Sequence, residues 1–215
     1  MKLRLTLLAI CFCLFNCKEE TSKKVDFEYK YPSVENIIDC DNVDTDLLRE
    51  AFYSFENDLV NFYTPGSPVY SRAYSMFVSQ ASNNKVDYHK MTSEHSKKVL
   101  EALKQQESLW RPAVDAFGSR VNYDHPFIAC VGDNIKDEPL QKTFSALLQT
   151  NSMSLRMVGE ELKRKTFGMK DDKYLATYIA LEFFYGKIYD IDFSKAPQKV
   201  ESNAQEHSSH DGHNH

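Results

Sequence analysis

The stretch TDLLREAFYSFENDLVNFY, Thr45–Tyr63, decides the fold class. Its apolar residues Leu48, Phe52, Phe55, Leu59 and Phe62 recur at spacings of four, three, four and three. That period lays them along one face of an α-helix, since a strand would alternate every second residue. Asp44 precedes the run as a natural N-cap, and Pro65-Gly66 ends it.

Working outward, the same period recurs. A second helix is expected over Val69–Ala81, with Ala73, Met76 and Phe77 inward, ended by Asn83-Asn84. A third is expected over Ser93–Trp110, up to the break at Pro112. Asp124-His125-Pro126 reads as the start of a short helix, because proline is well placed where the N–H has no intrahelical partner. The longest helix is expected over Glu138–Arg164, carried by Leu140, Phe144, Leu147, Leu148, Leu155, Val158 and Leu162. The last, Asp172–Tyr189, is apolar or aromatic on most faces, which makes it the central helix of a bundle. Glycines are few and never clustered, which excludes a glycine-rich phosphate loop. The reading is all-α: a single helical bundle of five to six helices, with a disordered N-terminal tether and a disordered C-terminal tail. The bundle spans 43–194.

The N-terminus carries an address. Lys2 and Arg4 precede an eleven-residue apolar run, Leu5–Phe15, followed by Asn16, Cys17 and the polar Lys18-Glu19-Glu20. As a helix that run reaches about 16 Å, roughly half a bilayer core, so it is a signal-peptide core and no membrane span. Leu14-Phe15-Asn16-Cys17 resembles the lipobox of bacterial lipoproteins, in a relaxed form similar to that of Bacteroidota and spirochaetes. The resemblance implies cleavage after residue 16, acylation of Cys17, a lipidated tether over 17–42, and anchoring in the outer membrane. The protein would then face the periplasm or the cell surface.

Cleavage would leave 199 of the 215 residues, and the charge of −5 would fall by two to −7 with the loss of Lys2 and Arg4. An acidic chain of this kind is not drawn to nucleic acid by charge, so acyl chains would have to hold it on the membrane. Cys40 and Cys130 remain after acylation of Cys17; in an oxidising compartment they either bridge or stay as two buried thiols.

Two groups of residues are candidates for chemistry. The segment 195–215 holds His207, His210, His213 and His215, whose imidazoles suit zinc or copper. Glu182 lies between Leu181 and Phe183 on the aromatic helix, with Tyr174, Tyr178 and Tyr185 on its side. Glu182 and Tyr178 are either ligand contacts in an aromatic pocket or ordinary residues, with Glu182 partly exposed on the bundle surface. His89 and His95 are six apart, on different faces of one straight helix, and read as exposed. No Glu-x-x-His pairing, Gly-x-Ser-x-Gly elbow or His-Glu-x-x-His occurs. The expectation is a membrane-anchored extracytoplasmic lipoprotein acting as a non-catalytic binding module. It would have no required cofactor, and its partner would be another envelope protein. The alternative is a lipoprotein that captures zinc or copper through the histidine tail.

Overall fold

In a computed structural model, residues 28–112 and 120–195 are described. The chain is mostly helical, and no strand occurs among the described residues. Among the described residues, eight α-helices of four or more residues replace the expected five to six, because one predicted helix is split in two and one short helix was not foreseen.

Helix α1, Thr45–Tyr63, starts where Asp44 Oδ1 accepts from Leu47 N at 3.0 Å. It buries Leu48, Phe52, Phe55 and Leu59 of the face read from the sequence, while Phe62 at its end is half-buried. Gly66, at φ +78°, makes the turn that follows. Helix α2, Tyr70–Ser82, packs Ala73, Tyr74, Phe77 and Val78 against it. After the short α3, Tyr88–Met91, helix α4 runs over Glu94–Lys104 with Ser93 as N-cap.

Helix α4 stops well before the expected Trp110. The chain passes through a 3-10 turn, Glu107–Leu109, into an isolated antiparallel bridge between Trp110 and Val121. The indole Nε1 of Trp110 donates to Leu103 O at 2.7 Å, satisfying one of the carbonyls that a helix end leaves open.

Helix α5, Pro126–Asn134, begins at His125, whose Nδ1 accepts from Phe127 N. The predicted helix over Glu138–Arg164 is two helices, α6 (Glu138–Gln149) and α7 (Leu155–Lys165). Asn151 adopts φ +50°, Ser152 N bonds Leu147 O, and Asn151 N bonds Leu148 O. This is the Schellman ending, with asparagine in the left-handed position. Ser154 then caps α7 through Met157 N. The apolar period survives the break because Leu140, Phe144, Val158 and Leu162 all enter the same core.

A 3-10 turn, Thr166–Asp171, leads into α8, Lys173–Ile179. It continues as a π-helical stretch, Ala180–Tyr185, and a last helical turn, Gly186–Ile188. Nearly every residue of this rod is buried, as its all-round apolar composition requires. At Gly186 an added Cβ would lie 3.0 Å from Leu181 O and 3.8 Å from the Trp110 ring, so the absent side chain permits the close approach.

The N-terminal segment departs from the expected free tether. From Glu28 onward the chain is a strap laid on the bundle. Ile37 and Ile38 are buried, Asp39 N donates to Tyr174 Oη at 3.1 Å, and Cys40 is disulfide-bonded to Cys130 of α5. Burial of the two isoleucines and the covalent link make this conformation more favourable than a solvated coil.

Candidate functional site

Three places in the fold bring chemistry-bearing side chains together. The first is built around Glu182, which the π-helical stretch carries into the interior at 1% exposure. This corrects the partly exposed reading: Glu182 lies inside the bundle. Of the three tyrosines expected beside it, Tyr174 is engaged by Asp39 N, and Tyr185 Oη donates to Ala51 O at 3.1 Å. The donor to Glu182 Oε1 is Tyr123 Oη, at 3.4 Å. Tyr178 is fully buried, with its ring edge-on to Phe144 at 5.0 Å. Its hydroxyl makes no hydrogen bond of good geometry among the described residues, with the Tyr123 hydroxyl as its polar neighbour. Burial, then the charge of Glu182 and the neighbouring Tyr123, push the Tyr178 hydroxyl well above the usual tyrosine range. It therefore stays protonated. The guanidinium of Arg111 stacks on Tyr123 at 4.5 Å from the ring centroid, and both line a small cleft of about 90 Å³ with Leu148, Asn151 and Met153.

The second place was not singled out from the sequence. Glu50, Ser54 and Asp58 form a polar stripe on α1 at four-residue spacing, and all three are buried against α4. Glu50 Oε1 lies 2.5 Å from His95 Nε2, and the same carboxylate accepts from Lys30 N at 2.7 Å and Tyr31 N at 3.0 Å. Asp58 Oδ2 accepts from Ser93 N at 3.0 Å and Ser96 Oγ at 2.6 Å, and Ser54 Oγ is 2.6 Å from Ser96 Oγ. Burial raises the Asp58 carboxyl above its ordinary range, against the lowering effect of these hydrogen bonds. His95 is 8% exposed, which corrects the exposed reading; His89 is half-buried against Phe193. The two histidines belong to different helices, α3 and α4, so their spacing on one straight helix never applied. The stripe at i, i+4 and i+8 was the available signal, because polar residues at that spacing beside an apolar face must be buried together or exposed together. Every polar group of this network has a structural partner: it fastens the strap to α1 and α1 to α4.

The third place is a cleft of about 340 Å³ where the start of α6 meets the end of α7. Lys136, Arg164 and Lys165 line it with Asp137, Asp172 and Leu175. Phe167 stands at its wall with 83% of its surface in solvent. The two carboxylates are committed: Asp137 caps α6 through Leu140 N and pairs with Lys165 at 2.7 Å, and Asp172 caps α8 through Leu175 N and accepts from Lys136 N at 2.7 Å.

Cys17 and the histidines 207, 210, 213 and 215 lie outside the described residues. Among the described residues, no group of three or more histidine, cysteine, aspartate or glutamate side chains is placed to hold a metal ion. No described helix is long and apolar enough to cross a membrane. Comparison of the chain with protein families, with curated proteins and with solved structures finds no match.

Proposed function

We propose that this protein is an extracytoplasmic lipoprotein, anchored through acyl chains on Cys17, whose helical domain binds another envelope protein without catalysing a reaction. The observation that carries the reading is the Cys40–Cys130 disulfide. Such bonds persist in oxidising compartments and are rare in the reducing cytoplasm. It agrees with the compartment that Leu14-Phe15-Asn16-Cys17 implies, and the two signals are independent, one in the leader and one in the fold.

The binding role draws on Phe167. A large aromatic ring left almost wholly in water beside a cleft is the type of residue that anchors protein interfaces. The buried carboxylates Glu50 and Asp58 are occupied in holding elements together.

Growth of the source bacterium with an alkyne-tagged fatty acid tests the anchor. Label on the wild-type protein, its loss in Cys17→Ser, and release of that variant from the membrane fraction are the expected results. An unlabelled wild-type protein would refute the lipoprotein reading.

A further inference from the structure

We propose that the cleft beside Phe167 is the docking site, and that it takes a segment of a partner protein presenting carboxylates next to an apolar side chain. This inference rests on the reading of the domain as a binding module and names the chemistry of what it binds.

The argument begins with charge. The run Lys163–Lys170 holds Lys163, Arg164, Lys165 and Lys170 and no acid, in a chain whose overall charge is −5. Of these, Arg164 and Lys165 line the cleft together with Lys136; the Lys136 ammonium donates to Asp171 O and Lys165 pairs with Asp137, which leaves Arg164 the most available of the three. The acids that share the lining, Asp137 and Asp172, each accept a backbone N–H at a helix start. Helix-start amides are a favourable setting for negative charge, so these two carboxylates present less of it to a ligand. Lys163 and Arg164 pair with Glu160 and Glu161 one turn back, with those glutamates mostly or partly exposed. Exposed pairs of this kind contribute about 0–1 kcal/mol, so an incoming carboxylate can replace Glu161 at little cost. Arg164 has the planar fork that grips a carboxylate with two parallel hydrogen bonds.

Shape supplies the other half. Phe167 and Leu175 give the cleft an apolar wall, and nothing lies within 4 Å of the Cβ position of Gly168, so a backbone can approach there. A volume of about 340 Å³ lies at the lower end of the range for specific sites, roughly 300–1,000 Å³, and suits a few residues of peptide. An apolar side chain would pack on Phe167 while flanking carboxylates meet Arg164 and Lys136.

The test uses the detergent-solubilised full chain and three fluorescein-labelled peptides: acetyl-Glu-Leu-Glu amide, its Gln-Leu-Gln isostere and its Lys-Leu-Lys counterpart. Fluorescence anisotropy should show the acidic peptide binding at least about tenfold more tightly than the isostere, and the basic peptide not binding. Phe167→Ser should weaken the acidic peptide about tenfold or more, and Arg164→Gln several-fold. Both side chains are exposed, and thermal melts would establish that the variants remain folded. Equal binding of acidic and neutral peptides, or binding unchanged by Phe167→Ser, would overturn the proposal. So would a dye on Phe167→Cys that shifts to the blue in phosphatidylglycerol vesicles and not in phosphatidylcholine, with no peptide bound; that result assigns the ring to an anionic membrane surface. Fatty-acid labelling of Cys17 reports on the lipoprotein reading separately, so a labelled protein that ignores all three peptides refutes this inference alone.

Discussion

Glu50 on α1 and His95 on α4 meet at 2.5 Å in the interior, and the same glutamate carboxylate receives the amides of Lys30 and Tyr31 from the strap. One buried carboxylate thus joins three segments of chain. Glu50→Ala leaves two strap amides and one imidazole without their acceptor, and should cost about 3 kcal/mol or more in urea unfolding. Glu50→Gln keeps an acceptor oxygen and should cost less. Equal losses in the two variants would mean that the hydrogen bonds are not the source of the stabilisation.

The Cys40–Cys130 bridge closes a loop with a sequence separation of 90. On the chain-entropy argument its removal costs about 4–5 kcal/mol, an upper figure because the reduced chain retains some structure. The double variant Cys40→Ser/Cys130→Ser should unfold at lower urea than the oxidised wild type. It should also match the wild type in reductant, and a reductant-insensitive midpoint for wild type would contradict the bridge.

Two buried groups set opposite pH slopes. Burial raises the carboxyl of Glu56 above its ordinary value of 4.5, despite Lys173 and the hydrogen bond from Tyr74 Oη at 2.9 Å. A raised folded value stabilises fully below the unfolded value, and that contribution is lost as pH rises through the folded one. Glu56→Gln should therefore be more stable than wild type at pH 7, with the gain vanishing near pH 4. Burial lowers His125 below 6.5, and its Nδ1 must stay unprotonated to accept from Phe127 N. Its stabilisation is present above about pH 6.5 and is lost as pH falls through the lowered value. His125→Asn, which retains a capping oxygen, should flatten stability over that acid window. Unfolding free energies at pH 4, 5.5 and 7 check both signs.

The buried hydroxyl of Tyr178 makes no hydrogen bond of good geometry among the described residues, and the neighbouring Tyr123 hydroxyl offsets little of its desolvation cost. Tyr178→Phe should leave stability unchanged or raise it by up to about 1 kcal/mol. A loss of 2 kcal/mol or more in thermal or urea unfolding would reveal a hydrogen bond that the hydroxyl makes in solution.

Much of the helical content was legible in the residue pattern. The face of α1, the start at His125-Pro126 and the all-round burial of the final rod follow from periods of three and four and from proline placement. Helix ends were less so. The break between α6 and α7 hides in Thr150-Asn151-Ser152, because the apolar period resumes in phase beyond it. The 3-10 exit from α4 depends on the Trp110 indole reaching the Leu103 carbonyl, a contact that periodicity does not contain.

The candidate sites divide in the same way. Glu182 and Tyr178 were picked out by composition, but the donor to Glu182, Tyr123, is 59 residues away in the chain. The stripe Glu50, Ser54 and Asp58 was visible at its spacing, yet its partners on the strap and α4 were not. The Phe167 cleft is assembled from the start of α6, the end of α7 and the start of α8, and no single stretch announces it. By itself the sequence determined which segments coil and which faces turn inward, because helix period and capping are local properties of neighbouring residues. Tertiary structure alone decided which carboxylates are buried, which thiols meet and which aromatic ring stays in water. Those outcomes depend on how separate helices pack, and side chains far apart in the chain share an environment only after the core has formed.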